Sequence, residues 1–344
     1  MTSEVDRDSN EIMNRMVEAV DNSVSKDVSA RNFDKFMEVV ASSTAKSIVD
    51  DVFALVMAKV EPMLEKFIEN KYGTIQRRVR IQVNDSTAIE TSEMVNEVFE
   101  EVMAHILNRE PVFICGPAGC GKNVLCKQIA MSLGMEFYYT NAVTQEYAIK
   151  GFTDAMGRYQ ETQFYKAFTQ GGLFMLDEMD ASIPEVLIIL NGAIANGYFD
   201  FPAPIGRTDA HPNFRVIAAG NTFGHGASYQ YVGRNQLDGA SLDRFALIRM
   251  SYDPAVEASL AGGEKELLDF IREFRTTAEN NKVFSIISYR AINRLVKLKN
   301  VIGLKKAIRD GIVKGMEHED LRLILANMKI HNEYTDACKE ILLE

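Results

Sequence analysis

The sequence predicts an α/β fold: a parallel sheet covered by helices on both faces, preceded by a helical segment and followed by a small all-helical region. Three observations predict it. From Pro111 onward, short apolar runs at 112–115, 136–139, 173–176, 215–219 and 246–250 alternate with helical patterns, and runs without polar alternation suit strands buried on both faces. A glycine-rich turn joins the first run to an apolar helix. After Asp253-Pro254 the strand patterns stop and helical periodicity continues over 263–280, 289–298, 304–312 and the tail to 344. The expected division is 1–75, a helical region; 76–254, the α/β domain; and 255–344, a helical lid with C-terminal helices.

Composition bounds the remaining choices. The chain has 344 residues, against about 150 per domain, and is 47% hydrophobic and 25% charged, which excludes wholesale disorder. Lys and Arg total 38 against 48 Asp and Glu, a net charge of -10 that argues against broad binding to nucleic acid. Cys115, Cys120, Cys126 and Cys338 form no CxxC pair and read as buried free thiols in a reducing compartment. Residues 1–11 lack the basic and apolar segments of a signal peptide, and aliphatic runs such as 186–190 are too short to span a bilayer. A soluble, cytoplasmic protein without a membrane partner is expected.

Taken in order, residues 11–71 read as helix, with Phe36, Val40, Val52, Phe53, Val56, Val60, Met63, Leu64, Phe67 and Ile68 on one stripe and Pro62 as a kink or restart. Gly73 ends it. Residues 77–83 alternate charged and apolar, as a half-buried strand does, with the basic cluster Arg77, Arg78 and Arg80 touching phosphate or, more simply, solvated. Thr91 or Ser92 can cap the next helix, whose buried side carries Met94, Val95, Val98, Phe99, Val102, Met103, Ile106 and Leu107.

The strongest chemical signal is the segment Gly116, Pro117, Ala118, Gly119, Cys120, Gly121, Lys122 and Asn123, between an apolar strand and a helix opening with Val124. Glycines there let backbone N–H groups turn inward around phosphate, the helix N-terminus adds positive potential, and Lys122 reaches the β- and γ-phosphates. Asn123 stands where Ser or Thr usually meets Mg²⁺, and an amide oxygen can serve as such a ligand. The second signal is the apolar run 173–176 ending in Asp177 and Glu178, at the strand edge where open α/β sheets bind ligands. Asp177 suits the metal and Glu178 the attacking water, a pair that favours hydrolysis over transfer. Asn221 ends the run 215–219 and can orient that water. Arg244, in Ser241-Leu242-Asp243-Arg244-Phe245, is a candidate arginine finger. Ser288 reads as an N-cap, placing Arg290 to reach the γ-phosphate.

These five signals, in this order, resemble the AAA+ ATPases over about residues 77–312, with Lys122 in the Walker A motif, Asp177 and Glu178 in Walker B, Asn221 as sensor 1, Arg244 as arginine finger and Arg290 as sensor 2. More narrowly the chain is similar to the MoxR group and its CobS-like and CbbQ/NirQ-like members, some carried by bacteriophages. That likeness rests on Ile149-Lys150-Gly151-Phe152 through Gly157-Arg158-Tyr159 to Phe164 and Ala167, which looks like the group's helix-2 insertion. It rests also on Leu190-Asn191-Gly192-Ala193 through Phe201 and on 211–215, which look like its hairpin before sensor 1, and on the segment 231–245. The resemblance implies a hexameric ring binding ATP and Mg²⁺ between subunits, with Arg244 supplied by the neighbour. It implies remodelling or activation of a client protein, in some members through a von Willebrand factor A domain partner or in metal chelation. The two insertions would face the pore, with Tyr147, Phe152 and Tyr159 as contacts or, more simply, as core. Two other readings compete: a DNA-acting ring motor, disfavoured by the acidic charge and the lack of a basic run, and a nucleotide-binding scaffold with weak hydrolysis, suggested by Asn123.

Overall fold

Five apolar runs become five parallel strands, and the three central ones offer side chains to two cores at once. The computed structural model describes residues 80–83, 87–90 and 94–343. The strands are β1 (Val112–Cys115), β2 (Phe137–Thr140), β3 (Gly172–Leu176), β4 (Phe214–Gly220) and β5 (Ala246–Arg249), in the spatial order β5-β1-β4-β3-β2. Register is tight: Val112 pairs with both Ile217 and Ala246, and Phe137 with Leu173. Alternate residues point to opposite faces. Val112, Ile114, Leu173, Met175, Ile217 and Ala219 pack against helices α1 (Phe99–Leu107) and α2 (Lys122–Ser132). Phe113, Phe174, Leu176, Val216 and Ala218 pack on the other side, against the helices that follow β2 and β3.

Short helices and hairpins decorate that second face. After β2 the chain forms α3 (Tyr147–Lys150), a hairpin of Phe152–Thr153 with Tyr159–Gln160, and α4 (Gln163–Gln170), whose N-cap Thr162 accepts from Tyr165 N at 3.0 Å. After β3 comes α5 (Pro184–Asn196), opened by proline at its first turn, then a hairpin of Tyr198–Phe201 with Gly206–Asp209 leading into β4. Phe164 is fully buried and touches the rings of Phe168, Phe174, Phe199, Phe201 and Phe214, so one phenyl ring ties α4 to the sheet and the second hairpin.

The one-turn helix α6 (Gly239–Leu242) precedes β5. Downstream of β5 lie α7 (Pro254–Leu260), α8 (Lys265–Asn280), α9 (Tyr289–Ile302), α10 (Leu304–Ile308) continuing as a π-helical turn Arg309–Val313, α11 (His318–Asn327) and α12 (Glu333–Ile341). They enclose their own core, including Leu267, Phe270, Ile271, Phe274, Ile292, Leu295, Ile324 and Tyr334. Ser288 caps α9 as expected, accepting from Ala291 N. The expected break at Asp253-Pro254 is also a helix start. Asp253 accepts from Ala255 N at 2.8 Å and Pro254 takes the first helical position, where a missing N–H costs nothing.

Two other expectations shift. Helix α1 begins at Phe99, not just after Thr91 or Ser92, because Asn96 offers the backbone a competing turn: its side chain accepts from Val98 N at 3.2 Å and its carbonyl from Phe99 N at 3.0 Å. The expected strand 77–83 is seen as Arg80–Val83, paired antiparallel with Thr87–Glu90. The helical expectation for 11–71, the caps Thr91 and Ser92, and Arg77 and Arg78 lie outside the described residues.

Candidate active site

The turn after β1 is pinned from both sides. Gly116 N donates to Gly220 O at 3.2 Å, which sets the loop beside the end of β4. Gly119 has φ +71, and a Cβ there would stand 2.5 Å from Ser288 Cβ and 3.3 Å from Arg290 Nε, so only glycine allows the N-terminus of α9 to close on the loop. Tyr289 N then donates to Gly119 O at 3.2 Å. Arg290 is thereby brought to the loop by a helix that is distant in sequence.

Lys122 begins α2 and is 7% exposed. Its ammonium donates to Gly116 O at 2.7 Å, to Pro117 O at 3.1 Å and to the Asn221 side-chain oxygen at 2.8 Å. All three donors thus engage neutral oxygens, and no carboxylate among the described residues forms an ion pair with Lys122. A buried cation neutralised only by dipoles, at a helix N-terminus, defines a site for an anion.

The carboxylates stand on the neighbouring strand end. Asp177 Oδ2 accepts from Asn123 Nδ2 at 2.8 Å and from Tyr139 OH at 3.1 Å, while Oδ1 accepts from Glu178 N at 2.9 Å. Burial, reinforced by the Asp177 charge, raises the Tyr139 hydroxyl above its ordinary pKa, so it stays a donor. Glu178 sits in the left-handed region, φ 51 and ψ 41, where non-glycine residues are uncommon; the turn ends β3 abruptly and leaves the Glu178 side chain 41% exposed.

Three sets of contributors lie outside the five nucleotide-site signals. Asp180, wholly buried, accepts through Oδ2 from Asn221 N at 3.0 Å, Thr222 N at 2.8 Å and Thr222 Oγ1 at 2.9 Å, which locks the end of β4 to the turn after β3. Tyr231 accepts through its hydroxyl from Ala118 N at 2.9 Å, and Tyr252 OH donates to Ala118 O at 2.9 Å. The third is Arg234, 3.3 Å from Asp180 and 3.6 Å from Glu178. The signal for Asp180 was available in Asp177-Glu178-Met179-Asp180, where a third acid follows the pair at a spacing that turns it inward.

Lys122, Asn123, Asp177, Glu178, Asn221 and Arg290 therefore converge on the N-terminus of α2. Arg244 does not join them: it lies between α6 and β5, at the opposite end of the sheet, donating to Ala240 O with its Nε buried and unpartnered. Cys120 and Cys115 are buried thiols, with Cys115 pushed up by burial to about 11, and all four cysteines are free. Val124 is exposed on α2. Of the three aromatics expected near a pore, Tyr147 and Phe152 are exposed and meet edge to face at 6.2 Å, whereas Tyr159 packs on Tyr165 and Phe201 and donates to Lys150 O at 2.7 Å.

This sheet order with a phosphate-type loop after β1 and an acidic pair after β3 is the α/β fold of AAA+ proteins. Residues 111–245 match the AAA domain of the dynein-related subfamily. An uncharacterized protein of Staphylococcus aureus is 26% identical over 250 residues, covering 64% of this chain and 90% of its own. One of Staphylococcus epidermidis is 26% identical over 245 residues, with the same coverage, 64% and 90%. Among solved structures, NtrX from Brucella abortus overlaps with a TM-score of 0.40 at 14% identity, over 83% of this chain and 59% of that one. A point mutant of RuvB from Thermotoga maritima overlaps with a TM-score of 0.35 at 17% identity, over 71% of this chain and 67% of that one. No helix among the described residues is long and apolar enough to cross a membrane.

Proposed function

We propose that the chain hydrolyses ATP, with residues 76–254 as the nucleotide-binding domain and 255–344 as a helical lid with C-terminal helices. The observation that carries this reading is the buried Lys122 ammonium, held by three neutral oxygens beside Asp177 and Glu178. In this reading the loop from Gly116 to Val124 holds the triphosphate through its amides and Lys122, and Arg290 closes on the γ-phosphate. Glu178 takes a proton from water as the water oxygen bonds to the γ-phosphorus. The bond from phosphorus to the β–γ bridging oxygen breaks, its electron pair stays on ADP, Lys122 stabilises the charge that develops, and Asn221 orients the water.

Mg²⁺ fits the donor set. Asp177 supplies a carboxylate, and the Asn123 side chain, which donates through Nδ2 to Asp177 Oδ2 at 2.8 Å, would offer its amide oxygen to the ion once the amide group turns over; Mg²⁺ uses one or two such oxygens together with substrate phosphates. No cluster of three acidic, His or Cys ligands exists among the described residues, and such a site needs none. When bound, the ion would neutralise phosphate charge; Asn123 and Asp177 would hold it.

The finer reading is a MoxR-type ring, CobS-like or CbbQ/NirQ-like, most simply a cytoplasmic hexamer that remodels a client protein, with a von Willebrand factor A domain protein as one class of partner. The helix-2 hairpin, with Tyr147 and Phe152 exposed, supports a client-contacting surface. Phosphate release with ATP and Mg²⁺ tests the core of it. Wild type should turn over, Glu178→Gln should bind nucleotide and release phosphate at least about 100-fold more slowly, and Lys122→Ala should lose nucleotide binding. Wild-type affinity in Lys122→Ala would refute the loop assignment; turnover within a few-fold in Glu178→Gln would refute the role of that carboxylate.

A further inference from the structure

Arg234 lies in the segment 231–245 but outside the five nucleotide-site signals, and its guanidinium is where the two acidic groups of the site meet. It is on the long connection between β4 and α6, with a side chain only 12% exposed. Nη1 lies 3.3 Å from Asp180 Oδ1 and Nη2 lies 3.6 Å from Glu178 Oε1. The other oxygen of Asp180 is occupied by Asn221 and Thr222. Arg234 is the one ion-pair partner of Glu178 among the described residues. A single planar fork thus spans the carboxylate after β3 and the carboxylate that fixes the end of β4.

The connection that carries Arg234 is itself anchored on both sides of it. Tyr231 OH meets Ala118 N at 2.9 Å, Asn235 N donates to Asp180 O at 2.7 Å, and the Asn235 side chain donates to Ser182 O at 2.9 Å. These bonds hold the guanidinium in place without help from Glu178. Glu178, by contrast, has an exposed side chain on a left-handed turn, and among the described residues the guanidinium, at 3.6 Å, is the one charged group within ion-pair distance of its carboxylate.

We propose, on the basis of the ATPase reading above, that Arg234 is a positioning residue: it acts through Glu178, fixing the carboxylate at the angle needed to take the proton from water, and couples that angle to Asn221 through Asp180. Lysine at this position can neutralise Asp180, but a single ammonium cannot serve both carboxylates as the fork does. The competing account is that Arg234 only neutralises the buried Asp180. Then its loss would lower stability, and its effect on rate would be independent of Glu178.

The test uses the full chain as wild type, Arg234→Ala, Arg234→Lys, Glu178→Gln and the Arg234→Ala/Glu178→Gln double variant. It reads steady-state phosphate release, fluorescent-nucleotide affinity and thermal midpoint. Misplacing a reacting group by about 1 Å costs on the order of 100-fold, so Arg234→Ala should lower kcat roughly 10- to 100-fold with KM and nucleotide affinity within about three-fold. Arg234→Lys should keep the wild-type midpoint but recover only part of kcat. In the Glu178→Gln background, adding Arg234→Ala should change the residual rate by less than about two-fold, since the group it acts through is gone. Multiplying losses in the double variant, or full kcat in Arg234→Ala, overturns the proposal. Should Arg234→Ala not fold, a well-folded Arg234→Lys with wild-type kcat overturns it equally. A wild-type chain that binds ATP without ever hydrolysing it overturns the ATPase reading instead, and this inference with it.

Discussion

Replacing Arg244 with alanine separates a finger acting between subunits from an arginine serving its own fold. Strands β5 and β1 run parallel, Ala246 opposite Val112 and Arg249 opposite Cys115. The phosphate-type loop leaves the sheet after Cys115, whereas Arg244 precedes Ala246. Along the strand direction the two are about five residues apart, roughly 16 Å at 3.3 Å per residue. An arginine at that edge cannot reach a phosphate on Lys122 of its own chain, so any part it plays in hydrolysis is played on a neighbour. Fingers of this kind contribute about 10³–10⁵ in rate, or about 4–7 kcal/mol of activation free energy. Within its own fold Arg244 makes a hydrogen bond to Ala240 O and leaves Nε buried without a partner, so deleting the side chain should cost stability by only about 1 kcal/mol. The two magnitudes are far enough apart to be read separately. Arg244→Ala should melt within a few degrees of wild type, bind ATP normally and release phosphate at least about 1000-fold more slowly. Mixed with Lys122→Ala subunits it should regain part of the activity, because some interfaces then pair an intact Lys122 with an intact Arg244. A stable variant with near-normal turnover refutes the finger; a destabilised one that mixing never rescues refutes the action in trans.

Two further substitutions probe the core and the metal position. Phe164→Ala removes a fully buried ring from five aromatic neighbours and should cost about 3–5 kcal/mol in urea denaturation; a loss below about 1 kcal/mol would mean those rings do not form the packed core described. Asn123→Thr exchanges the amide beside Asp177 for a hydroxyl and should leave hydrolysis unchanged or raise it at low Mg²⁺, read as phosphate release across a Mg²⁺ titration; a large loss would show that the amide is specifically required.

The sheet was legible because its three central strands are buried on both faces. Runs such as Val112 to Cys115 and Leu173 to Leu176 have no polar residue to place, and that absence is itself the sign of a two-sided core. The ends of helices were less legible, since they depend on side-chain competition for a few backbone groups. Asn96 delays α1 by making its own turn, and Asp253 with Pro254 opens α7 where the dipeptide alone looked like a stop. In both cases the same residue types can end or begin an element, and the choice is made by which amide lies within reach.

The site divides along a similar line. Lys122, Asn123, Asp177, Glu178 and Asn221 could be found from sequence because each sits at the C-terminal end of a strand, on the turn that follows or at the helix start after it, and parallel strands bring those ends together whatever the sequence between them. Arg290 could be suspected from a helix start, but its arrival at Gly119 depends on a glycine that lets two backbones touch. Position alone does not single out Asp180 and Tyr252, which also follow strand ends, and Tyr231 and Arg234 lie in the long connection after β4. They contact the site's backbone or its carboxylates from loops of irregular shape, at separations of up to 134 residues, as in Tyr252 on Ala118. What the sequence spells out is thus the set of groups placed to meet phosphate and water; of the groups that hold them in position, Asp180 alone left a spacing signal, and the others are read from the packing. Asp180 shows the consequence most directly. It is placed to touch no substrate, yet one of its oxygens carries the backbone of Asn221 and the other meets the guanidinium that faces Glu178, so the geometry of two motif residues rests on an acid that neither motif names.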